Sequence, residues 1–419
     1  MISPVESSDE RARLQHQSGR LTASERLQVV LDEGSFEPLE DCGGERILVG
    51  RGRINGRPLC VFVQQGGDDP DAREALSRQA LHTRVPILTI YDPGEMTLWP
   101  QEASRCQRGQ AALRNSSPQL AVVFGECFGH QALAVAQADW VFMARPATVL
   151  SLSPESHVRA VRYEGSTRQA LGGADVNARD GSAHAVFKHE IETLMAVRRF
   201  FDYLPLSATA ELPCLPVVDP VTRREAGLDT LVPMDSQSPY DMRELVDKVV
   251  DEATFFELQS SYGGSVLSGL ARVAGRPVGV LANQPEVLAG CLDLPATEKA
   301  RTLVQFCAAY GLPVVMLADL PGPLPGLDQQ RAGLTRAMAD LLHAWHAGRM
   351  PRVVVFTRRP DRCLPLLSGD AHLVWGDEPA VPAAGASVER WICPADTRVA
   401  LVEVLSALCD GGDRVVATA

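Results

Sequence analysis

A chain of 419 residues exceeds what one ordinary core fills, and at about 100 to 200 residues per domain it is expected to form two. Hydrophobic residues make up 45% and charged residues 22%, the balance of a globular protein that buries a sizeable core and not of a disordered chain. The formal charge of −12 excludes a surface that tracks nucleic-acid phosphates or anionic lipid, which needs clustered Lys and Arg, while leaving room for a local basic pocket.

Residues 1–20, MISPVESSDERARLQHQSGR, are polar and charged, form at most a short helix, and lack the apolar stretch of a secretory signal. No uncharged apolar run approaches the roughly 18 residues of a membrane span, so the sequence reads as cytoplasmic. The ten cysteines stand singly, with no CxxC pair and no Cys/His cluster at metal spacing, and are expected to be reduced thiols.

Residues 21–65, LTASERLQVVLDEGSFEPLEDCGGERILVGRGRINGRPLCVFVQQ, and residues 241–284, DMRELVDKVVDEATFFELQSSYGGSVLSGLARVAGRPVGVLANQ, are the same unit twice. In each, an amphipathic helix runs into DE-x-x-F, and a hairpin follows whose turn is INGRP or VAGRP. Gly56 and Gly275 supply the turn, and the apolar runs after Pro58 and Pro277 supply a buried strand. The order then repeats: a helix, a strand in RVPILTIYDPG against one in GLPVVMLADLPG, and a strand in QLAVVFGE against one in PRVVVFTR. Strands alternating with helices predict α/β architecture with crossover units. Residues 21–206 and 241–419 are the expected domains. The Pro-, Asp- and Ser-rich stretch 207–240 reads as the linker and the last few residues as a tail.

Beyond this repeat, ANQPEVLAGCLDLPATEKARTLVQFCAAYGLPVVMLADLPGPLPGLDQQ from Ala282 resembles the C-terminal half of acyl-CoA carboxylase carboxyltransferase (beta) subunits, with propionyl-CoA carboxylase beta subunits the nearest likeness. LTASERLQVVLDEGSFEPL, GRGRINGRPLCVF, LGGADVNARDGSAH and RRFFDYLPLS resemble stretches of the N-terminal half, and the match is weakest after Pro360. The resemblance implies two tandem crotonase-like (ClpP/crotonase) subdomains. It further implies an acyl-CoA held by one half, carboxybiotin held by the other half of a neighbouring subunit, and a ring-like oligomer.

Carboxyl transfer next to a thioester builds negative charge on the thioester oxygen and on the biotin ureido oxygen. Each then needs fixed N–H donors, which a small-residue loop at a helix N-terminus provides. For the thioester oxygen, the family's glycine pair corresponds to Gly129 and His130 in FGECFGHQAL. Their backbone donors persist provided neither position needs a positive φ. A bolder reading makes His130, with Glu126, an acid/base group; the plainer one has it fill space in a degraded site. For the ureido oxygen, the family's small-residue loop corresponds to RPDRCLPLLSG from Arg359, which has no glycine pair, so stabilisation there is expected to be lost. The family's glycine-rich CoA stretch is shortened to GGDDPDAREA from Gly66, and a second family loop reads DPGEMTLWPQEAS from Asp92. Gly172 and Gly173 in LGGADVNARDGSAH are candidate substrate-binding residues, or simply a turn. Asp319, Pro321, Gly322, Pro325 and Gly326 match the family's biotin-side turn, or serve as a rigid strand-to-helix corner.

His343 and His346 share a helix face without a carboxylate or Cys partner and read as a surface helix end, so no metal is expected. No GxxxxGK[ST] loop is present for ATP chemistry. Nor is there an AMKM-like attachment sequence, so biotin would arrive on a separate carrier, supplied by biotin carboxylase and carrier subunits. Three functions follow: a carboxyltransferase subunit acting on acyl-CoA, a biotin-independent thioester decarboxylase, and a non-catalytic paralogue that assembles with active subunits as a homo- or hetero-oligomer.

Overall fold

The computed structural model describes residues 8–40, 42–44, 46–94, 103–165, 167–217, 219–233, 235, 238–358, 369–376 and 389–410. The chain divides into two units between Glu211 and Leu212.

In the N-terminal unit, helices α1 (Ser8–Gln17) and α2 (Ala23–Val30) precede strands β1 (Glu37–Pro38), β2 (Ile47–Ile54) and β3 (Arg57–Gln64). Helix α3 (Pro70–Thr83), β4 (Ile87–Tyr91), α4 (Ala103–Leu113) and β5 (Gln119–Val123) follow. A small excursion, β6 (Glu126–Phe128) and α5 (Gly129–Ala136), leads to β7 (Trp140–Ala144) and β8 (Val149–Ser151). Helices α6 (Glu155–Arg162), α7 (Arg168–Gly172) and α8 (Ala174–Asp180), strand β9 (Ala185–Phe187) and helix α9 (Glu190–Phe201) complete it. The seven-stranded sheet has the order β1-β2-β3-β4-β5-β7-β9; its first two pairings are antiparallel and the rest parallel. Strands β6 and β8 form a separate parallel pair.

The C-terminal unit repeats the plan. Helices α10 (Leu228–Leu231) and α11 (Met242–Val249) precede β10 (Phe256–Leu258), β11 (Val266–Val273) and β12 (Arg276–Asn283). Then come α12 (Leu294–Tyr310), β13 (Val314–Ala318), α13 (Leu327–Ala332), α14 (Leu334–Ala347) and β14 (Arg352–Phe356). Strands β15 (Ala371–Trp375) and β16 (Glu389–Ile392) and helix α15 (Thr397–Asp410) end it. Its sheet, β10-β11-β12-β13-β14-β15-β16, again opens with two antiparallel pairings and continues parallel. All eight residues of β11 are buried, as expected for a strand covered on both faces. The expectation of two tandem α/β halves is met.

The structure gives the DE-x-x-F signature a physical cause. Asn55 and Gly56 turn the first hairpin at φ of 51° and 76°, and Ala274 and Gly275 turn the second at 50° and 75°. Both central residues of such a turn are left-handed, which costs a residue with a Cβ about 1–2 kcal/mol. The Asp32 carboxylate accepts the amides of Asn55 and Gly56 at 3.0 and 2.7 Å, and Asp251 accepts those of Ala274 and Gly275 at 2.9 and 2.7 Å. The phenylalanine of the signature packs against a strand glycine. A Cβ on Gly50 would stand 2.7 Å from the Phe36 ring, and one on Gly269 would stand 2.7 Å from Phe255.

Each aspartate is held in turn by an arginine from the last helix of its unit. Arg198 bonds Asp32 at 2.8 Å and the Val30 carbonyl at 2.9 Å. Arg398 bonds Asp251 at 2.7 Å and the Val249 carbonyl at 3.2 Å. In the N-terminal unit α2 and α9 therefore close on one hairpin turn, and in the C-terminal unit α11 and α15 do the same.

The stretch 207–240, read as linker, contributes from Leu212 onward to the C-terminal unit. Leu215 donates to the Gly275 carbonyl at 3.0 Å, Arg223 donates to Val250 at 2.9 Å, and α10 buries Leu228. Its Pro-rich composition removes periodicity without removing packing.

Candidate functional site

The N-terminal site is assembled where β4 and β5 end. A Cβ on Gly125, just after β5, would lie 2.5 Å from Asp92 Oδ1 and 2.9 Å from Asp92 Cα, so only glycine permits this approach. Asp92 is itself fixed by Arg20 at 2.6 Å and by the fully buried Arg26 at 2.9 Å. From there β6 runs beside β8, with Phe128 opposite Ser151, and α5 begins at Gly129.

Gly129 has φ of 56°, a value that suits its lack of a Cβ, and His130 is outside the positive-φ set. The Gly129 amide donates to the Leu152 carbonyl at 3.2 Å, so it is engaged in anchoring the turn to the strand end after β8. His130 is 5% exposed, and its Nε2 lies 3.1 Å from Asp68 Oδ2. The other oxygen of Asp68 accepts from Arg73 Nε at 2.8 Å, and Arg73 Nη1 donates to the Tyr91 hydroxyl at 3.3 Å. The Arg73 guanidinium also lies over the rings of Phe62 and Tyr91, 4.3 and 5.0 Å from their centroids. Burial alone would raise the Asp68 carboxyl, but the His130 hydrogen bond and the Arg73 charge outweigh it and hold it well below the usual carboxylate range. The row His130–Asp68–Arg73–Tyr91 therefore carries a fixed negative charge between two basic side chains.

Glu126, the partner considered for His130 from sequence, binds Arg168 at 2.7 Å. The sequence reading missed Asp68. The signal was present in the repeat: Asp69 and Asp293 both cap a helix, accepting from Ala72 and Ala296 at 2.9 and 3.0 Å. The residue before the cap is Leu292 in one half and an acid in the other.

Gly172 and Gly173 pack against the same small β6–β8 pair. A Cβ on Gly172 would meet the Leu150 carbonyl at 2.5 Å, and one on Gly173 would meet the Gln169 carbonyl at 2.7 Å. Asn177 Nδ2 gathers the carbonyls of Leu150, Gly172 and Gly173 at 3.2, 2.7 and 3.1 Å. The structure thus brings Gly129, His130, Gly172 and Gly173 around one two-stranded platform.

At the end of the same glycine-rich stretch, His184 is buried, with Nδ1 accepting the Val141 amide at 3.0 Å. Burial pushes its imidazole down from 6.5 to about 4. Below pH 6.5 the unfolded chain takes up a proton that the folded state refuses, so stability falls as pH drops from 6.5 toward 4. About 2 kcal/mol should be lost by pH 5, at 1.36 kcal/mol per unit. Urea titrations at pH 7 and 5 should show this loss, and His184→Asn, which keeps an acceptor for Val141, should flatten it. Equal pH dependence in the two proteins would refute the assignment.

In the C-terminal unit, Asp319 follows β13 as Asp92 follows β4. Its amide donates to Asn283 Oδ1 at 2.7 Å, and its carboxylate accepts Arg358 at 2.6 and 2.8 Å. Gly322 has φ of 126°, and a Cβ there would meet nothing within 4 Å. Its carbonyl accepts the Leu292 amide at 2.9 Å, and Leu324 donates to Leu292 at 2.8 Å, so the Pro321–Pro325 turn is laced to the segment before α12. Gly326 caps α13 in an extended conformation. This turn lies in the other unit from Gly129, His130, Gly172 and Gly173. The RPDRCLPLLS segment and residues 95–102 of the Asp92 loop lie outside the described residues. His343 and His346 are exposed on α14. Among the described residues, no helix is long and apolar enough to cross a membrane, and no group of three or more His, Cys, Asp or Glu could hold a metal.

A model of the carboxyl transferase domain matches residues 14–378. The chain is 36% identical over 378 residues to the propionyl-CoA carboxylase beta chain of Cereibacter sphaeroides, covering 83% of this chain and 74% of that protein. It is 30% identical over 380 residues to the methylmalonyl-CoA decarboxylase subunit alpha of Veillonella parvula, covering 84% and 75%. Among solved structures, the hexameric transcarboxylase 12S core with hydrolysed methylmalonyl-coenzyme A bound matches with a TM-score of 0.88 at 27% identity, over 98% of this chain and 93% of that one.

Proposed function

This chain belongs to the carboxyl transferase domain family, and on that footing we propose that it moves the carboxyl group of an acyl-CoA thioester, nominally from carboxybiotin to the acyl α-carbon, through an enolate held at the start of α5. The observation that carries the reading is the opening of α5 at Gly129, with the buried His130 in its first turn bonded to Asp68. Charge developing on the thioester oxygen gains from first-turn amides and from the helix dipole. The Gly129 amide is spent on Leu152, so the amides after it, beginning with that of His130, are assigned to the oxyanion. Gly172 and Gly173 are assigned to the acyl-CoA side, through their place on the β6–β8 platform.

The open backbone at Gly322, bordered by Pro321 and Pro325, fits a flat ring approaching closely, and these residues would receive biotin. When bound on its carrier protein, biotin supplies or accepts the carboxyl group. Asp319, locked by Arg358, and Gly326 position that turn. Biotin carboxylase and carrier subunits are the expected partners, and further copies of this chain or of paralogous subunits the expected neighbours.

A second reading, decarboxylation of a malonyl-type thioester, is favoured by the His130–Asp68 pair itself. When the bond from the α-carbon to the carboxyl group breaks, its electron pair passes into the enolate and CO₂ leaves. A protonated His130 oriented by Asp68 then returns a proton to the α-carbon.

The purified protein incubated with methylmalonyl-CoA or malonyl-CoA, with and without free biotin, separates these readings. Carboxyl loss that requires biotin supports transfer, and loss without biotin supports decarboxylation. No loss under either condition, with no CoA binding, would overturn both and leave a non-catalytic subunit.

A further inference from the structure

Arg73 has one buried nitrogen with no work in the network described above. Its Nε serves Asp68 and its Nη1 serves Tyr91, whereas Nη2 is buried and has no hydrogen-bond partner. A buried guanidinium N–H without an acceptor costs the full desolvation of that group, roughly 1–3 kcal/mol or more, so an occupant that satisfies it is favoured. Arg73 also lines a cavity of about 50 Å³ between β4 and β5 on one side and α3, α4 and α5 on the other.

The polar lining consists of Arg73, Ser77, Thr89, Tyr91, Gln110 and Gln119, and no carboxylate lines the cavity among the described residues. Several of these groups are already committed. Ser77 donates to the Arg73 carbonyl at 3.0 Å, Gln110 donates to Ala134 at 2.6 Å, and Gln119 donates to Gln110 at 3.5 Å. Tyr91 accepts from Arg73, which leaves its own hydroxyl proton to give. The donors left to a ligand are Arg73 Nη2 and the hydroxyls of Tyr91 and Thr89.

We infer that this cavity, which lies against the α5 helix that carries His130, binds a small planar monoanion of the carboxylate class, such as formate or bicarbonate. The volume is several times the roughly 10–15 Å³ that one water needs, so a small anion fits. Asp68 divides its two oxygens between Arg73 Nε and His130, which leaves Arg73 Nη2 to a ligand. Bicarbonate is the member of this class that hydration of the CO₂ released in the decarboxylation reading would yield. That choice among anions rests on the proposed function, whereas the site itself does not.

The test is a titration of the purified full chain with sodium formate, bicarbonate or sulfate at fixed ionic strength in gluconate. It is read by thermal midpoint and by line broadening of ¹³C-labelled formate and bicarbonate. Saturable shifts with formate and bicarbonate but not sulfate are expected, with at least a tenfold loss of affinity in Tyr91→Phe, which retains the Arg73–Asp68 pair. Arg73→Gln should abolish the broadening. Equal response to all three anions, or unchanged broadening in Tyr91→Phe, would mean that the anions bind outside this cavity and would overturn the inference. No catalysis enters the readout, so a protein inactive on acyl-CoA still reports on this site.

Discussion

Replacing His130 by alanine is expected to slow biotin-independent carboxyl loss from methylmalonyl-CoA by about 10²- to 10⁴-fold, the usual contribution of a positioned acid or base. The helix start remains, so the first-turn amides and the dipole persist, and kcat should fall more than KM rises. Asp68→Asn is the more discriminating variant. Asp68 acts through the imidazole it orients and through the charge it places beside it, so its loss should change the pH profile of kcat as well as its height. A packing defect would lower the rate at every pH alike, and such a uniform drop would remove Asp68 from the mechanism. Restoring the family's glycine by His130→Gly should suppress biotin-independent loss while sparing any biotin-dependent transfer.

Arg398→Met is expected to cost the C-terminal unit about 3–5 kcal/mol, because it strands a carboxylate inside the fold. The Arg398 side chain is fully buried, whereas that of Arg198 is 22% exposed. Arg198→Met should therefore cost clearly less, since solvent can replace the lost partner. The double variant Arg398→Met with Asp251→Asn should be less destabilised than the sum of its parts, because it removes the unpaired charge. Urea unfolding followed by hydrogen exchange within each unit measures all three. Equal losses for Arg198→Met and Arg398→Met would refute the role given to burial.

The contrast between what was legible and what was not follows the range of the interactions. The hairpins declared themselves in sequence because an αL–αL turn favours glycine at its second position, as at Gly56 and Gly275, and because an apolar strand follows each turn. The DE-x-x-F signature was visible as punctuation, but its cause was not. Asp251 finds its arginine 147 residues later, in a segment where the halves no longer resemble one another. The candidate site shows the same limit. Gly129 and His130 could be placed from a motif, whereas Asp68 reaches His130 across 62 residues and only folding brings them together. An acid beside a helix cap looks like any solvated charge until the opposing residue is known. The linker was misleading for a different reason, because proline and aspartate suppress periodicity in a segment that still docks on its neighbours.

The paired latches bear on how such a molecule could arise and be rebuilt. Since the helix before the first long hairpin of a half, α2 or α11, and its last helix, α9 or α15, meet at one hairpin, the repeated unit begins and ends near the same corner. A half of this kind can be duplicated, swapped for a relative's, or cut out as a block without severing a strand pairing. The divergence of the two acid-bearing loops then becomes intelligible: one copy could exchange a leucine for Asp68 and acquire a buried charge row, while the other kept its scaffold unaltered.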